Sequence, residues 1–70
     1  MKTELLGTAP TKTDLELLVN DFFGSKNYKI NDDNKLENEK LSEEKLNNIN
    51  KRIIIKFSKN RWRFEMIIND

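Results

Sequence analysis

The chain contains no cysteine and no histidine. It therefore cannot form a disulfide, a cysteine nucleophile, an imidazole general base or any of the common zinc sites. The only glycines are Gly7 and Gly24, so no G-x-G phosphate loop and no Walker sequence is present. No apolar run approaches the roughly 20 residues of a membrane-spanning helix, and the N-terminus lacks the apolar core of a secretion signal. These absences predict a soluble cytoplasmic protein that is not an enzyme.

The length allows a single domain spanning residues 1–70. A chain this short buries only about 60% of the surface that its unfolded form exposes, so we expect modest stability. Hydrophobic and charged residues each make up 36% of the sequence, which leaves enough apolar content for a small core. The many asparagine and lysine residues suit an accessory protein of a phage or mobile element.

The charges are divided unevenly along the chain. Residues 1–50 hold seven lysines and ten acidic residues, a balance of −3, whereas residues 51–70 hold six basic and two acidic residues, a balance of +4. The net charge of +1 is too small to imply a partner, but the C-terminal third is clearly basic.

The acidic residues of the middle segment offer little chemistry. They occur as "NDDN", "ENE" and "SEE", in the most polar part of the chain, whereas a catalytic carboxylate needs a partly desolvated setting. A calcium loop starting at Asp32 would place Glu37 at the sixth position, where an EF-hand requires glycine. We therefore expect no catalytic residue, no metal site and no cofactor.

A helix is predicted over residues 13–23. Thr13 can serve as N-cap, and Glu16 three residues later would complete a capping box. Gly24 provides a left-handed stop at the other end. The apolar stripe at helical spacing consists of Leu15, Leu18, Val19 and Phe22.

The flanking segments give weaker patterns. Residues 1–10 are an edge strand over "TELL" or a flexible start, and "GTAP" should end any regular structure there. Residues 28–38 form a weak hairpin, because turn-forming residues separate two short alternating stretches. Residues 42–50 read as a short helix capped by Ser42, or else as a mobile segment.

The strongest pattern is a β-hairpin over residues 52–68. Strands at 52–57 and 62–67 around a loop at 58–61 pair so that residue numbers sum to 119. One face is then wholly apolar and pairs Phe57 with Trp62, Ile55 with Phe64 and Ile53 with Met66. The other face pairs Lys56 with Arg63, Ile54 with Glu65 and Arg52 with Ile67.

Together these elements predict an α+β fold: a small single domain in which one amphipathic helix packs on an antiparallel sheet. The sheet ends in the C-terminal β-hairpin, and a second short helix accompanies it. The apolar hairpin face would meet the helix, and the basic face would point outward.

The preferred functional prediction is a non-catalytic interaction protein that binds another protein, with inhibition of that protein as one outcome. A surface that combines arginines with a small apolar centre resembles protein–protein interfaces. The hairpin candidates are Arg52, Ile54, Lys56, Arg61, Arg63 and Ile67. The acidic candidates, which could imitate nucleic-acid phosphates, are Asp32, Asp33, Glu37 and Glu39.

The alternative is a nucleic-acid-binding protein that contacts the phosphate backbone through its basic hairpin. Its candidate residues are Lys51, Arg52, Lys56, Lys59, Arg61 and Arg63. Base stacking is not expected, since Phe57 and Trp62 are predicted to face the core; an exposed Trp62 would reverse this ranking. An exposed strand edge could also take a strand from a partner or form a homodimer.

Overall fold

The structure is a computed structural model and describes residues 1–69. The elements in chain order are β1 (Lys2–Ala9), α1 (Lys12–Phe23), β2 (Tyr28–Ile30), β3 (Leu36–Asn38), α2 (Glu43–Asn50), β4 (Ile53–Ser58) and β5 (Arg61–Asn69). β1, β5 and β4 form a three-stranded antiparallel sheet in that order, and β2 pairs with β3 in a second sheet. The predicted α+β class, with a helix on an antiparallel sheet and a second short helix, is confirmed.

The C-terminal hairpin has the predicted register. Each observed pair, from Ile53 with Met66 to Ser58 with Arg61, sums to 119. The turn is tighter than the expected four-residue loop, because only Lys59 and Asn60 lie outside the strands. Their φ angles of 56° and 63° are both in the left-handed region, as a type I′ turn requires.

β1 is longer than the sequence pattern indicated. It continues through "GTA" to Ala9, so the prediction that this stretch ends regular structure was wrong. A register shift between Leu5 and Gly7 marks a bulge. The strand persists because Gly7 allows α1 to approach closely: a Cβ atom built there would lie 2.6 Å from Cδ1 of Leu18. β1 thereby covers one edge of β5 and makes β5 the central strand.

Replacing Gly7 with Val should lower the free energy of unfolding by about 1–3 kcal/mol, because the added methyl groups would overpack the contact with Leu18. Urea denaturation measures this as a lower midpoint with an unchanged slope. Gly7→Ala is the graded control, since the end of one flexible side chain can move to accept a single methyl group. A Val variant as stable as the wild type would contradict the close approach of β1 and α1.

The start of α1 differs from the prediction. Thr11, not Thr13, is the N-cap, and its hydroxyl accepts a hydrogen bond from the backbone N–H of Asp14 at 3.1 Å. Glu16 forms no capping box; its carboxylate instead accepts a bond from the N–H of Ile30 at 2.9 Å. The "TKT" sequence offers two capping hydroxyls, and the helix uses the first of them.

The core lies between the three-stranded sheet and the two helices. Two aromatic residues predicted to be buried remain exposed: Phe22 at 47% and Phe57 at 55%. Phe57 stays exposed because α1 lies over β1 and β5 and does not reach β4. The buried apolar residues are Ala9, Leu15, Val19, Tyr28, Leu36, Ile53, Ile55 and Phe64.

Two asparagine side chains hold the small β2–β3 hairpin to the helices. The Asn20 amide accepts from the N–H of Tyr28 at 2.8 Å and donates to its C=O at 3.0 Å. Asn50 makes the same pair of bonds with Leu36, at 2.9 and 3.0 Å. Each amide thus satisfies a backbone donor and acceptor as a neighbouring strand would. These contacts order a hairpin that has only three residues in each strand.

α2 corresponds to the helix predicted over residues 42–50. Ser42 caps it by accepting a bond from the N–H of Lys45 at 3.3 Å. Leu41 and Leu46 pack against the core on either side of this cap. Neither α1 nor α2 is long and apolar enough to cross a membrane.

Candidate interaction surface

The face of the three-stranded sheet opposite α1 carries aligned rows of side chains, and we call it the outer face. In the central row, Glu65 of β5 lies between Leu5 of β1 and Ile54 of β4. Leu5 remains 48% exposed. The members of the outer face are Thr3, Leu5, Thr8, Arg52, Ile54, Lys56, Arg61, Arg63, Glu65 and Ile67.

Glu65 is the buried charge at the centre of this surface. Only 8% of its side chain is exposed, and its Oε2 lies 3.0 Å from Nε of Arg63 and 3.7 Å from Nζ of Lys56. The hydrogen bond from Arg63 lowers the pKa of Glu65, burial opposes this, and Thr3 and Lys56 lower it further. The carboxylate therefore stays ionised, and its charge is compensated within the surface.

Glu65 should make the stability of the domain sensitive to acid. Its pKa is lowered from the ordinary 4.5 only in the folded state, so its stabilising contribution is complete above about pH 4.5. That contribution is lost as the pH falls through the lower, folded-state pKa. Urea midpoints should therefore show Glu65→Gln less stable than the wild type at neutral pH, with the gap closing in acid.

The control for this measurement is Glu39→Gln, which changes an exposed carboxylate in the turn after β3. Its difference from the wild type should not follow the same pH dependence. A gap between Glu65→Gln and the wild type that is constant from neutral pH into acid would contradict the shifted pKa.

The outer face unites all six hairpin residues predicted as a protein-binding site. Arg61 and Arg63 follow one another on the same side of β5, and Nε of Arg61 donates to the hydroxyl of Thr8 at 3.0 Å. Two further cations proposed for nucleic-acid binding lie at opposite ends of the hairpin: Lys51 in the turn before β4 and Lys59 in the β4–β5 turn. The basic candidates are therefore spread along the hairpin.

The acidic candidates lie elsewhere, on the β2–β3 hairpin and its turns. Glu37 accepts a hydrogen bond from the Asn31 amide at 3.2 Å. Exposed lysines alternate with the acids, so this surface has mixed charge. Within residues 1–69, no group of three or more acidic side chains is close enough to hold a metal ion. The acidic candidates, all exposed, are Asp32, Asp33, Glu37 and Glu39.

Sequence reasoning did not identify the contribution of β1 to the outer face. Thr3, Leu5 and Thr8 complete the rows begun by the hairpin. Gly7 was the available signal, because a glycine within a strand often marks a bulge or a close backbone approach.

The tip of the hairpin presents an aromatic pair. Phe57 and Trp62 are in edge-to-face contact with ring centroids 5.5 Å apart, and Nζ of Lys12 lies 5.6 Å from the Trp62 ring. Trp62 is partly buried, whereas Phe57 is 55% exposed. Phe57 lies on the core-side face, as the hairpin register predicts, but the prediction that it is buried was wrong.

The fold and this surface define a small α+β domain with one sheet face packed on a helix and the other partly exposed. Comparison of the chain with protein-family models, with curated proteins and with solved structures gives no match. Function must therefore be inferred from residues, charges and exposed surfaces.

Proposed function

We propose that this is a non-catalytic interaction protein that binds another protein through the outer face. The supporting observation is the row formed by Leu5, Glu65 and Ile54, in which two apolar side chains flank a charge already compensated by its neighbours. An apolar centre of this kind can be desolvated on binding without leaving an unpaired carboxylate. Most of the binding free energy of a protein–protein interface comes from such buried centres, and charged residues at the rim contribute little.

The rim indicates the chemistry of the partner. Arg52 and Arg61 are exposed at opposite ends of the hairpin, and the Lys56 side chain is 51% exposed. A complementary partner presents an apolar projection surrounded by carboxylates. Binding would inhibit the partner if that projection forms part of the partner's own active site or binding site. The acidic segment is less suitable for this role, because its lysines cancel much of the charge that phosphate imitation requires.

A photo-crosslinking residue tests this proposal in an extract of the native host. Placed at Leu5, it should give an adduct with a partner protein, and Ile54→Lys should abolish that adduct by putting a charge in the apolar row. Leu17 is the matched control site, since it is a 66% exposed leucine on α1 rather than on the outer face. Equal crosslinking from Leu17, or an adduct that survives Ile54→Lys, would show that the outer face is not the binding surface.

A second candidate function is nucleic-acid binding at the hairpin, and the exposure of Phe57 favours it. An exposed ring can stack on a base, and such stacking contributes about 1–3 kcal/mol per base. The cations of the hairpin would contact phosphates. Phe57→Ala should then weaken binding of a single-stranded oligonucleotide more than binding of a duplex.

Salt dependence provides the direct test of this candidate. Affinity for oligonucleotides should fall steeply with rising salt, and Arg61→Gln with Arg63→Gln should reduce the slope. Lys40→Gln, an exposed lysine of the turn after β3, is the control and should leave the slope unchanged. Failure of both single-stranded and duplex probes to bind at low salt would eliminate this function.

A further inference from the structure

The free edge of β4 has unpaired backbone groups. The C=O of Arg52 accepts a hydrogen bond from the N–H of Ile67 at 2.8 Å, which sets the alternation along the β4–β5 ladder. The N–H and C=O groups of Ile53, Ile55 and Phe57 consequently point away from β5. Among residues 1–69, no backbone or side-chain group bonds to them. Such groups require a partner or water.

The two edges of the three-stranded sheet are built differently. β1 carries the features that protect an edge from pairing: Lys2 and Glu4 near its start and a bulge between Leu5 and Gly7. β4 begins with three consecutive isoleucines, has no bulge, glycine or proline, and carries a single charge. Only the β4 edge is therefore suited to accept another strand.

We propose that two copies of the chain pair antiparallel through β4, with Ile55 opposite Ile55 of the second copy. The product is a two-fold symmetric dimer with a continuous six-stranded sheet in the order β1-β5-β4-β4-β5-β1. This inference does not depend on the proposed protein-binding function.

The charges select this register. Residues whose backbone N–H and C=O point away from β5 must lie opposite one another in the two copies. The two-fold axis can therefore pass through residue 54, 55 or 56, and we call each register centred on that residue. Centring on residue 54 places Lys56 opposite Arg52, and centring on residue 56 places Lys56 opposite its own copy; both oppose like charges. Centring on Ile55 places Lys56 opposite Ile54 and Arg52 opposite Ser58. Registers centred nearer either end of β4 pair fewer residues.

The exposure of Phe57 supports the same arrangement independently. In the Ile55-centred register, Phe57 of one copy lies opposite Ile53 of the other, on the face that carries the core. The ring is 55% exposed in the single chain and gains an apolar neighbour in the dimer. The two-fold axis is perpendicular to the sheet, so both outer faces lie on the same side and form one extended surface.

Disulfide mapping tests both the pairing and its register, because the chain contains no cysteine. Residues 54 and 56 of opposite copies form a pair without backbone bonds, whose Cα atoms lie about 4.5 Å apart, within disulfide range. An oxidised mixture of Ile54→Cys and Lys56→Cys proteins should give a covalent dimer. Ile54→Cys alone, which keeps Lys56, should give no more covalent dimer than Leu17→Cys, an exposed control on α1.

The pattern of products decides the question. Crosslinking of the mixture above the control supports the Ile55-centred register. Efficient crosslinking of Ile54→Cys alone, or of no combination, overturns it.

Light scattering provides a second measurement. The wild type should have twice the 8.3 kDa mass of one chain. Phe57→Pro should return it to a single chain with its circular dichroism retained, since this proline removes an outward-pointing N–H and a half-exposed ring but leaves the β4–β5 hydrogen bonds in place. Thr3→Pro makes the matched change on the β1 edge and should leave the dimer intact. A wild type that is monomeric, or a Phe57→Pro protein that folds and remains dimeric, overturns the proposal.

Discussion

Replacing Phe64 with Ala should unfold the domain at room temperature. Phe64 is 0% exposed at the centre of β5, and its ring lies 5.5 Å from that of Phe22 and 6.4 Å from that of Phe23. Truncating a buried phenylalanine costs about 3–5 kcal/mol. The core of a domain this small rarely supplies more than about 3–5 kcal/mol of net stability. The substitution therefore removes essentially all of the net stability of the folded domain.

Circular dichroism and urea titration at low protein concentration measure this effect. Phe57→Ala is the matched control, because it makes the same change on the adjacent strand at a ring that is 55% exposed. We expect that variant to fold, with a loss of free energy of unfolding below about 1 kcal/mol, as for most exposed sites. Equal urea midpoints for the two variants would mean that Phe64 is not the centre of the core.

Replacing Asn20 with Ala should release the β2–β3 hairpin from α1. The substitution leaves the N–H and C=O of Tyr28 without their side-chain partner, and this residue is only 6% exposed. Each buried backbone group that loses its partner costs about 1–3 kcal/mol. The loss is local, since the three-stranded sheet makes no use of this amide.

Amide hydrogen exchange measures whether the destabilisation is confined to the β2–β3 hairpin. The Tyr28 amide should exchange much faster in the Asn20→Ala protein, whereas the Phe64 amide should keep most of its protection. Asn48→Ala, at an exposed position of α2, is the control and should alter neither. Unchanged protection at Tyr28 would show that the Asn20 amide does not hold the hairpin. Asn50→Ala should have the corresponding effect on the Leu36 amide.

Much of the fold could be predicted because its signals are local. The register of β4 and β5 follows from period-two alternation on both arms, and one slip would have moved every isoleucine to the wrong face. The six hairpin candidates reach one surface for the same reason. The N-cap of α1 was predicted too late in the chain, because both Thr11 and Thr13 carry a hydroxyl that can cap, and the Glu16 carboxylate expected to complete a box with Thr13 bonds to Ile30 instead.

The remaining features depend on residues far apart in the chain. The asparagine contacts of the β2–β3 hairpin join residues up to 14 positions apart. β1 joins β5 across nearly the whole chain and supplies one third of the strands that form the outer face. Local patterns indicate at most a strand over "TELL" and a bulge or close approach at Gly7, and they do not identify the distant partner in either case.

The amino-acid sequence by itself determined the fold class, the hairpin register and which hairpin side chains share a face, since alternation and helical spacing act over a few neighbouring residues. The tertiary structure alone decided that β1 covers β5 while β4 keeps a free edge, that Glu65 is a buried and compensated charge, and that Phe57 remains exposed. These outcomes depend on how far α1 extends over the sheet and on which strand reaches the central one. Both are set by packing between distant segments.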